Sequence, residues 1–256
     1  MKKIICIANQ KGGVGKTTTA INLAASLATA EKKTLLIDCD SQGNATSGLG
    51  IDHESIKEKN FYHALIGRLP LQEVIIPTVV SHLDIVPCNR DLIGIEVEFV
   101  EVVDREKKLR LLLQGLDVGY DYVIIDCPPS LGFLTVNALV AADYLIVPLQ
   151  CEYFAMEGLG HLLNTIRLIK AKLNPSLTLA GILLTMYDTR NLLSRRVGED
   201  VRKYFGDQVF STVIPRNVRL SESPSHGLPI ILYDIKSRGA VSYMELAQEL
   251  LCNGRL

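Results

Sequence analysis

Short runs rich in Ile, Val and Leu recur along this chain, separated mostly by longer stretches whose apolar residues return every third or fourth position. The first kind, at residues 3–8, 34–38, 83–87, 122–126, 144–148, 179–185 and 209–215, reads as strands. The second, at residues 16–29, 96–116, 134–141, 157–173, 193–205 and 238–251, reads as helices. Strands apolar at consecutive rather than alternate positions belong to a sheet covered on both faces. Alternation of strand with helix then specifies an α/β fold, a doubly wound, mostly parallel sheet flanked by helices. Residues 41–60 and 217–237 carry neither period and are expected to be irregular. With no repeat, low-complexity tract or long Pro/Gly/Ser linker, residues 1–256 are expected to form a single domain.

Composition narrows the picture a little. At 48% hydrophobic and 21% charged, the 256 residues have ample apolar surface for one large core. The net charge of −1 neither attracts nucleic acid nor excludes it, so any such surface must come from local clustering. The N-terminal MKKIICIANQ meets polar residues too early for a secretory signal, and no apolar run approaches the roughly 18 residues needed to span a bilayer. A cytoplasmic protein is expected. Six cysteines, Cys6, Cys39, Cys88, Cys127, Cys151 and Cys252, form no C-x-x-C pair and are expected to be small buried hydrophobes in a reducing compartment.

Chemistry concentrates in NQKGGVGKTTTA, residues 9–20, which follows the first strand and opens a helical stretch. Gly12, Gly13 and Gly15 free the backbone to turn its N–H groups toward phosphate oxygens, and the helix N-terminus adds partial positive charge. Lys16 is placed to reach the β- and γ-phosphates, Thr17 to offer a hydroxyl to Mg²⁺, and Thr18 continues the cradle. The pattern departs from the usual phosphate loop in that Gln10 stands in place of the first Gly and a second lysine, Lys11, stands beside it.

Carboxylates for such a site come from two strand ends. LLIDCDSQGNAT puts Asp38 at the end of an apolar strand and Asp40 two residues on; YDYVIIDCPPSLG puts Asp126 at another, ahead of the stiff Pro128–Pro129 exit. Ligands of open α/β sheets bind beyond the carboxyl ends of the strands, so all three acids are expected to face the nucleotide and its metal ion.

KGGVGKTT, LLIDCDSQGNATSGLG, DYVIIDCPPSLG, CEYFAMEGL, LLTMYD and VIPRNVRLSESPSHGLPI, in this order, resemble the ParA/Soj partitioning ATPases of the deviant Walker A branch of P-loop proteins, over nearly the whole chain. The resemblance implies Mg²⁺ and ATP, with ATP hydrolysis that is slow until a partner stimulates it. It implies that Lys11 crosses an ATP-dependent homodimer interface to the partner's phosphates, that Asp40 organises the attacking water, and that Pro215 and Asn217 contact adenine. It implies non-specific double-stranded DNA and a ParB-type centromere-binding protein as partners, with a nucleoid-associated location. The family usually has Pro after the second acid, where this chain has Ser41; the freed N–H and φ are expected to loosen the Asp40 loop. The phosphate loop begins nine residues in, so no N-terminal helix-turn-helix domain is expected.

Between residues 189 and 239, nine basic residues stand against five acidic ones, a net +4, leaving −5 elsewhere. Arg190 and Arg219 lie near the positions the resemblance matches to DNA, and Arg195 or Arg196 stands in for a missing R-T-N-L phrase. Other readings compete. A MinD-like membrane-cycling ATPase would end in a basic amphipathic helix, whereas SYMELAQELLCNGRL is acidic in its middle, so no membrane partner is expected. A nitrogenase-like carrier would need interface cysteines, for which Cys127 and Cys151 are candidates by type, though Cys127 reads more simply as a strand-end residue before Pro128–Pro129. An ATPase that positions another cargo, such as a protein cluster, remains open on sequence alone.

Overall fold

Adjacent positions on the central strands feed two different cores. The computed structural model describes residues 2–116, 119–252 and 256. Within them lie strands β1 (Lys3–Ile7), β2 (Thr34–Asp38), β3 (Ile76–Pro77), β4 (Leu83–Val86), β5 (Tyr122–Asp126), β6 (Tyr144–Gln150) and β7 (Thr178–Thr185). They form one sheet in the order β3-β4-β2-β5-β1-β6-β7, parallel except for the β3–β4 pair. Cys6, Leu35, Ile37, Val123 and Ile125 pack on one face and Ile5, Ile7, Leu36 and Ile124 on the other. That double burial is why these strands read as continuous apolar runs.

The helices are α1 (Lys16–Thr29), α2 (Asn44–Gly48), α3 (Phe61–Leu65), α4 (Ile95–Glu98), α5 (Lys108–Gln114), α6 (Phe133–Ala141), α7 (Ala155–Lys172), α8 (Leu192–Phe205), α9 (Val218–Glu222), α10 (Ile230–Tyr233) and α11 (Arg238–Cys252). Residues of α1, α10 and α11 cover one face of the sheet; those of α3 to α8 cover the other. Two polar ties fix the first group: the Asn22 side chain accepts the Ile230 N–H at 2.7 Å, and the Thr19 and Tyr243 hydroxyls meet at 3.1 Å.

The structure revises the sequence reading in four places. Residues 209–215 form no strand but a segment beside β7, with isolated bridges from Val209 to Ile182 in β7 and from Pro215 to Tyr187 just beyond it. Between those bridges the Glu249 carboxylate takes the N–H groups of Ser211 and Thr212, at 2.9 Å each, lifting the polar middle off the ladder. The single helix expected over residues 96–116 is broken into α4 and α5 by a turn whose Asp104 has φ of 54°, a conformation a helix cannot contain. The regions expected to be irregular hold the short helices α2, α9 and α10. Five cysteines are buried, as expected, but Cys252 is exposed.

Candidate functional site

The site lies where β1, β5 and β2, three neighbours in the sheet, release their chains. After β1 the loop turns through Gly13 and Gly15, at φ of 73° and 88°. These left-handed turns favour glycine. Thr185 ties the loop down by donating to the Val14 carbonyl at 2.8 Å. The N-terminus of the 14-residue α1 therefore opens directly into the loop, with no side chain capping its free N–H groups.

Gly12, Gly13, Gly15, Lys16, Thr17, Thr18 and Asp40 line one cleft of about 350 Å³, joined by Gln42, Asn44, Pro129 and Met186. An adjoining cleft of about 290 Å³ shares Gly15, Thr18 and Met186 and extends to Pro215 and Asn217. The Asn217 side-chain oxygen there is buried with no hydrogen-bond donor among the described residues. A cleft with N–H groups and a lysine thus adjoins a second pocket holding an unanswered acceptor, which suits a purine amine.

Lys16 is buried, and its ammonium donates to the Lys11 carbonyl at 3.1 Å. Burial pulls its pKa down, with Asp126, Cys127 and Asp40 countering part of the shift. Lys11 takes a different course: its N–H is held by the Asn9 side chain at 3.0 Å, and its ammonium pairs with Glu152, just beyond β6.

Asp38 and Asp126 sit opposite each other in the β2–β5 register, both fully buried. Their surroundings differ. Asp38 accepts from the Thr46 N–H and hydroxyl at 2.8 and 2.7 Å and from the Asp40 N–H at 3.2 Å, while burial pushes its pKa up to about 6. Neither oxygen of Asp126 has a hydrogen-bond partner among the described residues. Burial holds its carboxyl well above the usual range, the Asp38 charge adds to that, and Thr17 and Lys16 offset only part. A buried carboxylate with two unanswered oxygens beside a lysine and a threonine is a poor structural element and a good receptor for a hydrated cation.

Asp40 is buried in a hydrogen-bonded turn, its carboxylate accepting the Gln42 N–H at 3.0 Å and its carbonyl the Gly43 N–H at 2.8 Å. Cys88 donates its thiol to the same carbonyl at 2.8 Å. Ser41 therefore sits in a loop held at both ends.

The arginines lie outside this cleft. Arg190 grips Asp188 through two bonds of 3.1 Å, and Arg219 pairs with Glu222 at 2.9 Å and Asp234 at 3.5 Å. Arg195 and Arg196, on α8, are exposed and have no carboxylate partner among the described residues. Thr46 and Glu152 escaped the sequence reading. Glu152 follows a strand end next to β1, a signal of the kind that exposed the other acids, but Thr46 sits within a short helix with no period to reveal it.

Residues 2–179 match the family described as an AAA domain. The chain is 59% identical over 249 residues to the chromosome partitioning protein ParA of Myxococcus xanthus, covering 97% of this chain and 88% of that one. It is 54% identical over 254 residues to the sporulation initiation inhibitor protein Soj of Bacillus subtilis, covering 99% and 100%. Among solved structures, a cobyrinic acid a,c-diamide synthase from Mycobacterium smegmatis with bound ADP and magnesium is similar at a TM-score of 0.86 and 39% identity, covering 98% of this chain and 94% of that one.

Proposed function

The chain belongs to the ParA/Soj family of partitioning ATPases, and on that premise we propose that it binds Mg²⁺ and ATP, dimerises, holds DNA without sequence preference and lets go on hydrolysis. The observation that carries the nucleotide half is Asp126, buried beneath the Gly-rich loop with both oxygens unanswered. The donors around it are hard oxygens, the type magnesium prefers. Asp126 and the Thr17 hydroxyl would hold the ion, directly or through its water shell, and Asp38, already engaged by Thr46, positions the Asp40 turn. Bound magnesium would neutralise charge on the β- and γ-phosphate oxygens.

The chain's own groups do the rest. The α1 N-terminus and Lys16 take the phosphates; Lys16 exchanges the Lys11 carbonyl for a phosphate oxygen. Asp40 orients the attacking water, and its low exposure keeps bulk water out. Lys11 stands on the rim, half-exposed, where it can turn to the phosphates of a second copy. A charge supplied in trans makes dimerisation depend on the γ-phosphate. Among the described residues, Arg216 on the base side is the one arginine lining the two clefts and none lines the phosphate cleft, which fits slow turnover awaiting a ParB-type partner in the cytoplasm, on the nucleoid.

The test is retention of a fluorescent random-sequence duplex by the purified chain with ADP, with ATP, and with ATP after Asp40→Ala, across a salt series. Binding should require ATP, strengthen in Asp40→Ala and weaken with salt. No binding in any state would remove DNA as the cargo and leave a nucleotide-switched dimer.

A further inference from the structure

The Asp40 turn is braced by a residue that lines neither nucleotide cleft. Gly43 closes that turn with φ of 63°, and the half-buried ring of His53 lies against it so closely that a Cβ there would stand 2.4 Å from the ring's Cε1 and 3.3 Å from its Nε2. The Cys88 carbonyl would meet the same Cβ at 3.1 Å. Gly43 is therefore clamped between an imidazole and a backbone carbonyl, in a left-handed conformation that favours glycine in any case.

The ring is bonded as well as packed. Ser47, on α2, donates its hydroxyl to the Gly43 carbonyl at 3.0 Å, which uses the hydroxyl's only proton. Its oxygen is left to accept, so the 2.8 Å contact with His53 is an N–H donated by Nε2. From there the contacts lead straight to the acid: the Gly43 N–H donates to the Asp40 carbonyl at 2.8 Å, and the Gln42 N–H, within the same turn, to the Asp40 carboxylate at 3.0 Å.

Place and chemistry say what the brace does. Gln42 and Asn44, on either side of Gly43, line the phosphate cleft with Asp40. Ser41 does not fix φ within the turn as a proline would, so the turn depends on contacts from outside it. A group that orients an attacking water is sensitive to such support, since a displacement of about 1 Å costs on the order of a hundred-fold in rate.

We propose that His53 is a positioning residue for ATP hydrolysis: its ring, bonded to Ser47 and packed on Gly43, holds the Asp40 carboxylate where it orients the attacking water. This rests on the role given to Asp40 above. The test is hydrolysis of radiolabelled ATP by the full chain, comparing the native protein with Asp40→Ala, His53→Ala, His53→Gln and Ser47→Ala. His53→Ala should lower kcat about ten-fold while KM for ATP and Kd for ADP stay within about two-fold of native, because the ring touches none of the groups that hold the phosphates. His53→Gln, which keeps an N–H donor at the reach of Nε2, should recover most of that loss, and Ser47→Ala, which leaves the ring in place, should repeat it. Native kcat in His53→Ala overturns the brace. A loss matched by an equal rise in KM and in Kd for ADP also overturns it, making the ring a support of the whole site, and a His53→Gln protein no faster than His53→Ala removes the Ser47 bond as the means. Should His53→Ala unfold, Ser47→Ala and His53→Gln carry the same comparison. An Asp40→Ala chain as fast as native fails the role of Asp40 and the brace with it; an inactive Asp40→Ala beside an unimpaired His53→Ala fails the brace alone.

Discussion

Lys11 forms an ion pair with Glu152 of its own chain, and Glu152 also accepts from the Gln150 amide. The lysine that would reach a second copy's phosphates is therefore engaged at home. Both side chains are about half-exposed, at 42% and 47%, so solvent screens the pair and its worth is about 0–1 kcal/mol. Glu152→Ala should lower the ATP concentration that half-dimerises the protein by up to about five-fold, the equivalent of ~1 kcal/mol. Lys11→Ala should bind ATP and remain monomeric. Sedimentation velocity through an ATP titration reads both. A Glu152→Ala protein that needs more ATP would mean Glu152 works within the dimer rather than against it.

Asp38 and Asp126, opposite each other on β2 and β5, both have pKa values raised by burial, that of Asp38 from 3.8 to about 6. A carboxyl whose folded pKa lies above its unfolded value stabilises the fold fully below the unfolded pKa and loses that contribution as pH rises through the folded one. The thermal midpoint of magnesium-free protein should therefore fall, relative to that of Asp126→Asn, as pH climbs above the ordinary carboxylate range and through the raised pKa of Asp126. Mg-ATP should remove most of that difference in the native chain, because ionised Asp126 then has a counter-charge. Parallel native and Asp126→Asn curves would show that Asp126 is not ionised at a cost.

The contrast between these acids and Thr46 shows what sequence could and could not reveal. Strands buried on both faces announce themselves by unbroken apolar runs, and strand ends place acids, so β1, β2, β5 and the positions of Asp38, Asp40 and Asp126 were legible. The partner each acid finds is set by packing across the sheet. Thr46 reaches back eight residues to Asp38 from a five-residue helix, and Glu249 reaches 38 residues to unmake a strand; neither leaves a local period. Lys11 could be singled out as an extra charge, but its bond to a residue 141 positions away could not.

Thr46 offers a stability test. Its hydroxyl donates to Asp38 at 2.7 Å and accepts the Cys88 N–H at 3.1 Å, all among buried groups. Thr46→Val keeps the shape and removes both bonds, leaving a buried N–H and part of a buried carboxylate unanswered, at a cost of about 2–4 kcal/mol. Urea unfolding of the nucleotide-free protein measures it. A loss below about 0.5 kcal/mol would show that water replaces the hydroxyl.

The four arginines divide by what they already hold, and that division orders their expected effects on DNA. Arg190 and Arg219 are neutralised by carboxylates of their own chain, so reaching a phosphate means leaving an acid behind. Arg195 and Arg196 project from α8 as uncompensated charge. Arg195→Ala and Arg196→Ala should each weaken DNA binding about uniformly across sequences and reduce the slope of log affinity against log salt by about 0.9, the value of one phosphate contact. Arg190→Ala should change the slope by less, because a guanidinium already held by Asp188 makes no free phosphate contact to lose. Anisotropy of a random-sequence duplex with the ATP-bound Asp40→Ala protein, from low to physiological salt, separates the two classes. The opposite order, with Arg190 carrying the larger slope, would mean that DNA pulls the paired arginines from their carboxylates and that α8 faces elsewhere.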